Sequence, residues 1–227
     1  MFPCLPMIMR PRITCSILSL LTLLPFILTS CALTEPAAPM RTVRVKVVAD
    51  ARFREKDPRW ADSARGLVEA ASDFYEREFG IKFVTDTVRP WSLDESTPLT
   101  SVMLTQLKKA VPLGDKDGSY DLVIAFTGEQ VNRFRGRARV DRVGNCKDGL
   151  GNYVVTYVSR PFLYRGPLEE PERDVVALIH ELGHIFGAEH VQDPLSIMHE
   201  QFDYRADFDA RSREIIQKNK FCPFAKG

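Results

Sequence analysis

Residues 171–190 read PERDVVALIHELGHIFGAEH, and this stretch decides how the rest of the chain is to be read. Pro171 opens a helix, and Val175, Leu178, Ile179, Leu182 and Phe186 give it an apolar side out to about Phe186. His180 and His184 stand four residues apart, so they project from one side of that helix, one turn apart. Gly187 then ends the helix, because a left-handed residue after the last turn costs glycine no Cβ clash. The chain turns there, and His190 can swing back towards the other two rings.

This pattern, HExxHxxGxxH, has a direct chemical consequence. Two histidines at this helical spacing chelate a single ion, and a third leaves the fourth position of a tetrahedral zinc open. An open position marks a catalytic zinc, whereas a structural one is closed by four protein ligands. Such a metal lowers the pKa of its water and polarises a scissile carbonyl. Glu181 adjoins His180 and can reach that water without taking a coordination position, which suits a general base. HExxH alone is a moderate signal. The five fixed residues of the longer form arise by chance with a probability on the order of 10⁻⁸ per start position at this composition. All four histidines of the chain lie between His180 and His199.

Working outward, the preceding segments alternate between strand and helix patterns. Residues 41–49 alternate Val43, Val45 and Val47 with Arg44 and Lys46, a strand. Residues 58–79 carry Ala64, Leu67, Val68, Ala71 and Phe74 at helical spacing, and Gly80 stops them. A strand over 81–88, a helix over 99–111 and a short buried strand over 121–126 follow. Weaker strand patterns cover 136–143 and 152–159, and a last helix is expected over 207–218. The order predicts one α+β domain with its chemistry in the C-terminal third.

The N-terminus reads differently. Arg10 and Arg12 precede an almost wholly apolar run from Ile13 to Thr29, the layout of a secretory signal peptide. Leu28, Thr29, Ser30 and Cys31 resemble the lipobox of bacterial lipoproteins, in which the cysteine is acylated. The same run approaches the lower length limit of a membrane span, so an uncleaved anchor is the competing reading. The expected division is a signal peptide over 1–30, a linker over 31–40 and a catalytic domain over 41–227. It implies export to a bacterial envelope, with a membrane anchor through Cys31. Cys4 and Cys15 would leave with the signal and Cys31 would carry lipid. Cys146 and Cys222 then remain as a plausible disulfide or as two separate thiols. The formal net charge of +1 gives no electrostatic argument for nucleic acid.

The histidine motif resembles that of the metzincin clan of zinc peptidases. Met198, with Leu195, Ser196 and Ile197 before it, fits the methionine turn that metzincins place beneath the metal. Its separation from His190 is similar to that of matrixins, whereas Ser196, Met198 and His199 look more like the astacin turn; the subfamily stays unassigned. No histidines stand upstream for a matrixin-type structural zinc, and the stretch from Cys31 to Arg41 leaves little room for a latency propeptide. The resemblance implies a twisted mixed sheet above a cleft, with an active-site helix, a Met-turn and a C-terminal helix. It also implies a single catalytic zinc and a protein or peptide substrate lying extended along the sheet's edge strand. Residues 151–159, the strand nearest before the active helix, are the expected edge.

Weaker signals have plainer explanations. His199 suits a turn residue better than a fourth ligand. Asp115, Asp117 and Asp121 hint at calcium, but the glycine spacing does not match an EF-hand, and a turn into a strand explains them. Arg133, Arg135, Arg137 and Arg139 alternate as a solvated strand face would, or as a surface for acidic partners. Tyr204 has no spacing that recommends it as an oxyanion donor. The expected activity is zinc-dependent endopeptidase. The alternatives are a zinc-containing peptide-binding module with little turnover and a zinc hydrolase of a non-peptide amide.

Overall fold

The valines that alternate with cations over 41–49 form strand β1 (Arg41–Ala49). The computed structural model describes residues 40–93, 97, 99–113, 120–129, 137–168, 170–201 and 207–226. After β1 come helices α1 (Ala51–Lys56) and α2 (Trp60–Phe79), strand β2 (Ile81–Pro90) and helix α3 (Thr100–Ala110). Strands β3 (Leu122–Thr127), β4 (Ala138–Val140) and β5 (Tyr153–Tyr157) follow, then helices α4 (Arg173–Ile185) and α5 (Ala210–Asn219). The expected signal peptide, Cys31 and the expected linker up to residue 39 lie outside the described residues, as do Asp115, Asp117, Arg133, Arg135 and Tyr204.

The fold is α+β, as expected. Among the described residues the strands form one five-stranded sheet in the order β2-β1-β3-β5-β4. The pairs β1–β2, β1–β3 and β3–β5 are parallel, and β4 runs antiparallel to β5. Strand β3 is buried at every position, which explains its uninterrupted apolar run: a central parallel strand is covered on both faces. On one face Val43, Val45, Val47, Ile124, Phe126 and Val154 pack with α2 and α4 residues such as Leu67, Phe74, Leu178 and Ile179. On the other, Val48, Val123, Ala125 and Val155 pack with Met103, Leu104 and Leu107 of α3.

One expectation is corrected by this topology. Strand β5 lies between β3 and β4, so it is an inner strand, and the edge on that side of the sheet, among the described residues, is β4. Proximity in sequence pointed to β5. The turn through residues 141–152 instead folds β4 back along its outer side, with Ala138 opposite Thr156 and Val140 opposite Val154.

Element boundaries follow local chemistry. The sequence pattern omits α1 because a helix of six residues with one buried side chain, Phe53, has no periodicity to display. It forms because Asp50 accepts the Phe53 N–H at 2.7 Å and so caps its first turn. Helix α2 starts at Trp60 rather than at Pro58, since Asp57 accepts the Arg59 N–H through its side chain and the Trp60 N–H through its carbonyl. Gly80, at φ 62°, closes it.

Candidate metal centre

Helix α4 runs through the core, buried from Asp174 to Ile185. It therefore holds its histidines on a fixed axis. His180 and His184 are 2% and 7% exposed, and His190, in the loop beyond, opens to solvent. Their Nε2 atoms converge: 3.1 Å between His184 and His180, 3.2 Å between His180 and His190, and 3.2 Å between His184 and His190.

The hydrogen bonds on the far sides of the rings fix their tautomers. His180 Nδ1 faces the Ile197 carbonyl at 2.6 Å, and His184 Nδ1 faces the Ala188 carbonyl at 2.6 Å. A carbonyl only accepts, so both Nδ1 atoms carry the proton and both Nε2 atoms of the neutral rings present bare lone pairs. Two lone pairs at 3.1 Å repel unless a cation lies between them. A tetrahedral zinc at about 2.05 Å from each nitrogen spaces its ligands about 3.3 Å apart. The three distances fit a zinc site. Burial, with the neighbouring His184 and His190, pushes the His180 pKa down to about 3. Burial likewise takes His184 down to about 4. Both rings are thus neutral and ready to bind metal at neutral pH.

Gly187 makes the return of His190 possible. Its φ is +98°, its N–H reaches the His184 carbonyl and the Ala188 N–H reaches the Gly183 carbonyl, both at 2.9 Å. These are the paired bonds of a Schellman turn, which also aims the Ala188 carbonyl back at His184. A Cβ at Gly187 would lie 2.4 Å from the Gly144 oxygen and 2.5 Å from Asn219 Nδ2. Those neighbours belong to a clamp on the end of α4. Gly144 N–H bonds the His184 carbonyl at 2.9 Å and Asn219 Nδ2 bonds the Phe186 carbonyl at 2.9 Å. Cys146 and Cys222, whose Cα atoms are 4.9 Å apart, are bridged and join the two clamping segments.

Met198 is fully buried in the expected turn. A Cβ at Gly183 would come within 2.6 Å of its sulfur, so a side chain there would have to displace the thioether. His199 stays outside the triad and accepts the Gln201 N–H at 3.0 Å, a turn residue as expected.

Glu181 is 6% exposed, and burial pushes its carboxyl up to about 8, with Arg139 acting in the opposite direction. Arg139 is exposed on β4, the edge strand. Arg137 departs from the solvated face expected of it. It donates to Asp174 Oδ1 at 2.8 Å, while Ser159 donates to Oδ2 through both N–H and hydroxyl at 2.8 Å. The first turn of α4 is thereby tied to β4 and to the chain leaving β5. Asp121 accepts the Arg44 N–H at 2.9 Å where the chain enters β3, which ties that end of β3 to β1. Among the described residues the three histidines are the only group of three or more side chains placed to share a metal ion. Asp115 and Asp117, which carried the hint of calcium, lie outside those residues.

Sequence reasoning missed the carbonyls of Ile197 and Ala188, since backbone groups leave no mark in a motif. Gly183 was visible within HELGH, and its contact with Met198 was not.

The family model Reprolysin_5, metallo-peptidase family M12, matches residues 40–225. No curated protein matches the chain. Among solved structures, archaemetzincin from Methanopyrus kandleri is similar in fold, with a TM-score of 0.54 and 22% sequence identity over 79% of this chain and 96% of that one. Taken with the helix, the turn and the histidine cluster, these matches show that the chain belongs to metallo-peptidase family M12 and is a metzincin-like zinc metallopeptidase.

Proposed function

We propose that the protein is an endopeptidase in which His180, His184 and His190 hold one zinc and Glu181 is the general base. The observation that carries this reading is the convergence of three Nε2 atoms at 3.1–3.2 Å, with the Nδ1 protons of His180 and His184 anchored on carbonyls. The metal, when bound, supplies a Lewis acid for the scissile carbonyl and lowers the pKa of water. Glu181 takes the water's proton and passes it to the leaving amine. Its burial keeps bulk water from the carboxylate, and the cation at the histidines favours the ionised form that a base requires. Among the described residues β4 is the edge of the sheet, along which an extended substrate would add as a further strand.

The N-terminal pattern supports an exported protein with a signal peptide over 1–30, a lipid anchor on Cys31, a linker to residue 40 and the catalytic domain over 41–227. Zinc content tests the centre. Wild-type protein is expected to hold one zinc per chain, and His180→Ala and His184→Ala are each expected to lose it. A wild-type protein that binds no zinc after metal loading and desalting would overturn the reading. Metabolic labelling with palmitate tests the anchor: label should appear in wild type and be absent from Cys31→Ser.

A further inference from the structure

We propose that Asp209 is the remote carboxylate of His180: a positioning residue that acts through Ser196 and the peptide joining Ile197 to Met198 to orient and strengthen that ring's hold on the metal. The inference rests on the assignment of His180 as a ligand and adds residues that the motif does not contain.

The hydrogen bonds form a single directed chain. His180 Nδ1–H donates to the Ile197 carbonyl at 2.6 Å. The N–H of the same peptide unit, on Met198, donates to Ser196 Oγ at 3.0 Å. Ser196 Oγ–H in turn donates to Asp209 Oδ2 at 2.7 Å. The peptide unit is planar and rigid, so fixing its N–H fixes the direction of its carbonyl, and with it the plane of the imidazole. Every donor in the chain points the same way and the last acceptor is an anion. Such chains polarise cooperatively, and a more polarised Nδ1–H makes Nε2 a better electron donor to a metal.

Asp209 is itself well anchored. Its other oxygen accepts the Ser212 N–H at 2.9 Å and caps α5, and its own N–H reaches Ser196 Oγ at 3.3 Å. Partial burial pushes its carboxyl up, but the hydrogen bonds from Ser212 and Ser196 outweigh this and leave its pKa below the usual range. The Ile197 N–H donates to the Asp207 carbonyl at 2.7 Å, so residues just before α5 hold the turn on both sides of the relayed peptide. Helix α5 thus supports the metal centre from a distance that sequence spacing does not reveal.

Zinc affinity, measured by chelator competition, and the His180 Nδ1 proton resonance of the zinc-loaded protein together test the relay. Asp209→Asn keeps a helix cap of equal quality and removes the charge. Ser196→Ala keeps Asp209 and its cap and removes the hydroxyl. Each is expected to weaken zinc binding by about tenfold and to move the ring proton upfield. The double variant should be little worse than either single one. A purely structural role for Asp209 predicts that Asp209→Asn retains wild-type affinity and an unshifted resonance, which would overturn the proposal. If Asp209→Asn does not fold, Ser196→Ala carries the test alone. His180→Ala separates the two levels of the argument. Loss of zinc there with unchanged affinity in Ser196→Ala refutes the relay only, whereas retention of zinc refutes the ligand assignment as well.

Discussion

Gly187 meets two demands that no other residue meets together: a φ of +98°, and room for the Gly144 oxygen where a Cβ would lie 2.4 Å away. Gly187→Ala is therefore expected to destabilise the metal-free protein by about 2–4 kcal/mol in denaturant unfolding, and to weaken zinc binding because His190 depends on that turn. The buried titrating groups give a second prediction. In metal-free protein His180 and His184 titrate near 3 and 4 when folded, against an ordinary value of 6.5. The unfolded chain binds more protons between these values, so this contribution to stability is lost as pH falls from 6.5 towards 3. Glu181 works in the opposite direction: folded near 8 against 4.5 unfolded, it weakens the metal-free fold as pH rises through that window. Glu181→Gln should consequently raise metal-free stability at pH 8 by on the order of 4 kcal/mol, at about 1.4 kcal/mol per pH unit, and change little at pH 4. Chemical denaturation at the two pH values checks this, and equal gains at both would contradict it.

At the scale of elements, α4 is fastened at both ends. Its first turn is held by Asp174 on Arg137 and Ser159, in an ion pair whose side chains are 12% and 8% exposed. Asp174→Ala would leave Arg137 without its carboxylate in a largely buried site, and is expected to cost about 3–5 kcal/mol in denaturant unfolding. The last turn is held by the segments that the Cys146–Cys222 bridge joins across a separation of 76 residues. Replacing both cysteines by serine should cost about 2–4 kcal/mol and loosen zinc binding through the released end of α4; the chain-entropy limit for that loop is about 4.5 kcal/mol. A double serine variant with wild-type unfolding and zinc affinity would show that the clamp holds without its staple. These fastenings were only partly legible in the sequence. The helix, its glycine stop and its three histidines were readable, because each leaves a residue type at a fixed spacing. The pairing of Arg137 with Asp174 and the support of Ser196 by Asp209 were not, because long-range side-chain contacts leave no periodicity. The disulfide was readable only as an even cysteine count, since spacing carries no information about Cα distance.

At the scale of the whole molecule, the sheet fixes α4 in the core and, among the described residues, ends at β4, while α4 carries His180, Glu181 and His184. Strand β3 was legible as a buried run of apolar residues. The place of β5 was not, because strand order depends on which way the β4–β5 turn folds, and the three residues of β4 gave only a faint pattern. The placement of β4 at the edge makes substrate orientation testable. Val140→Pro, within the edge strand, should raise the KM for an extended peptide more than it lowers kcat, since it perturbs pairing rather than proton transfer. The proposed activity is hydrolysis of peptide bonds at a zinc site with Glu181 as base. Its most direct test is a peptide library incubated with zinc-loaded wild type and with Glu181→Ala, read by mass spectrometry alongside metal content. One zinc is expected in both proteins, with cleavage by wild type and cleavage at least about a hundredfold slower in the variant. Wild-type rates from Glu181→Ala at full zinc occupancy, or no cleavage by zinc-loaded wild type, would contradict it.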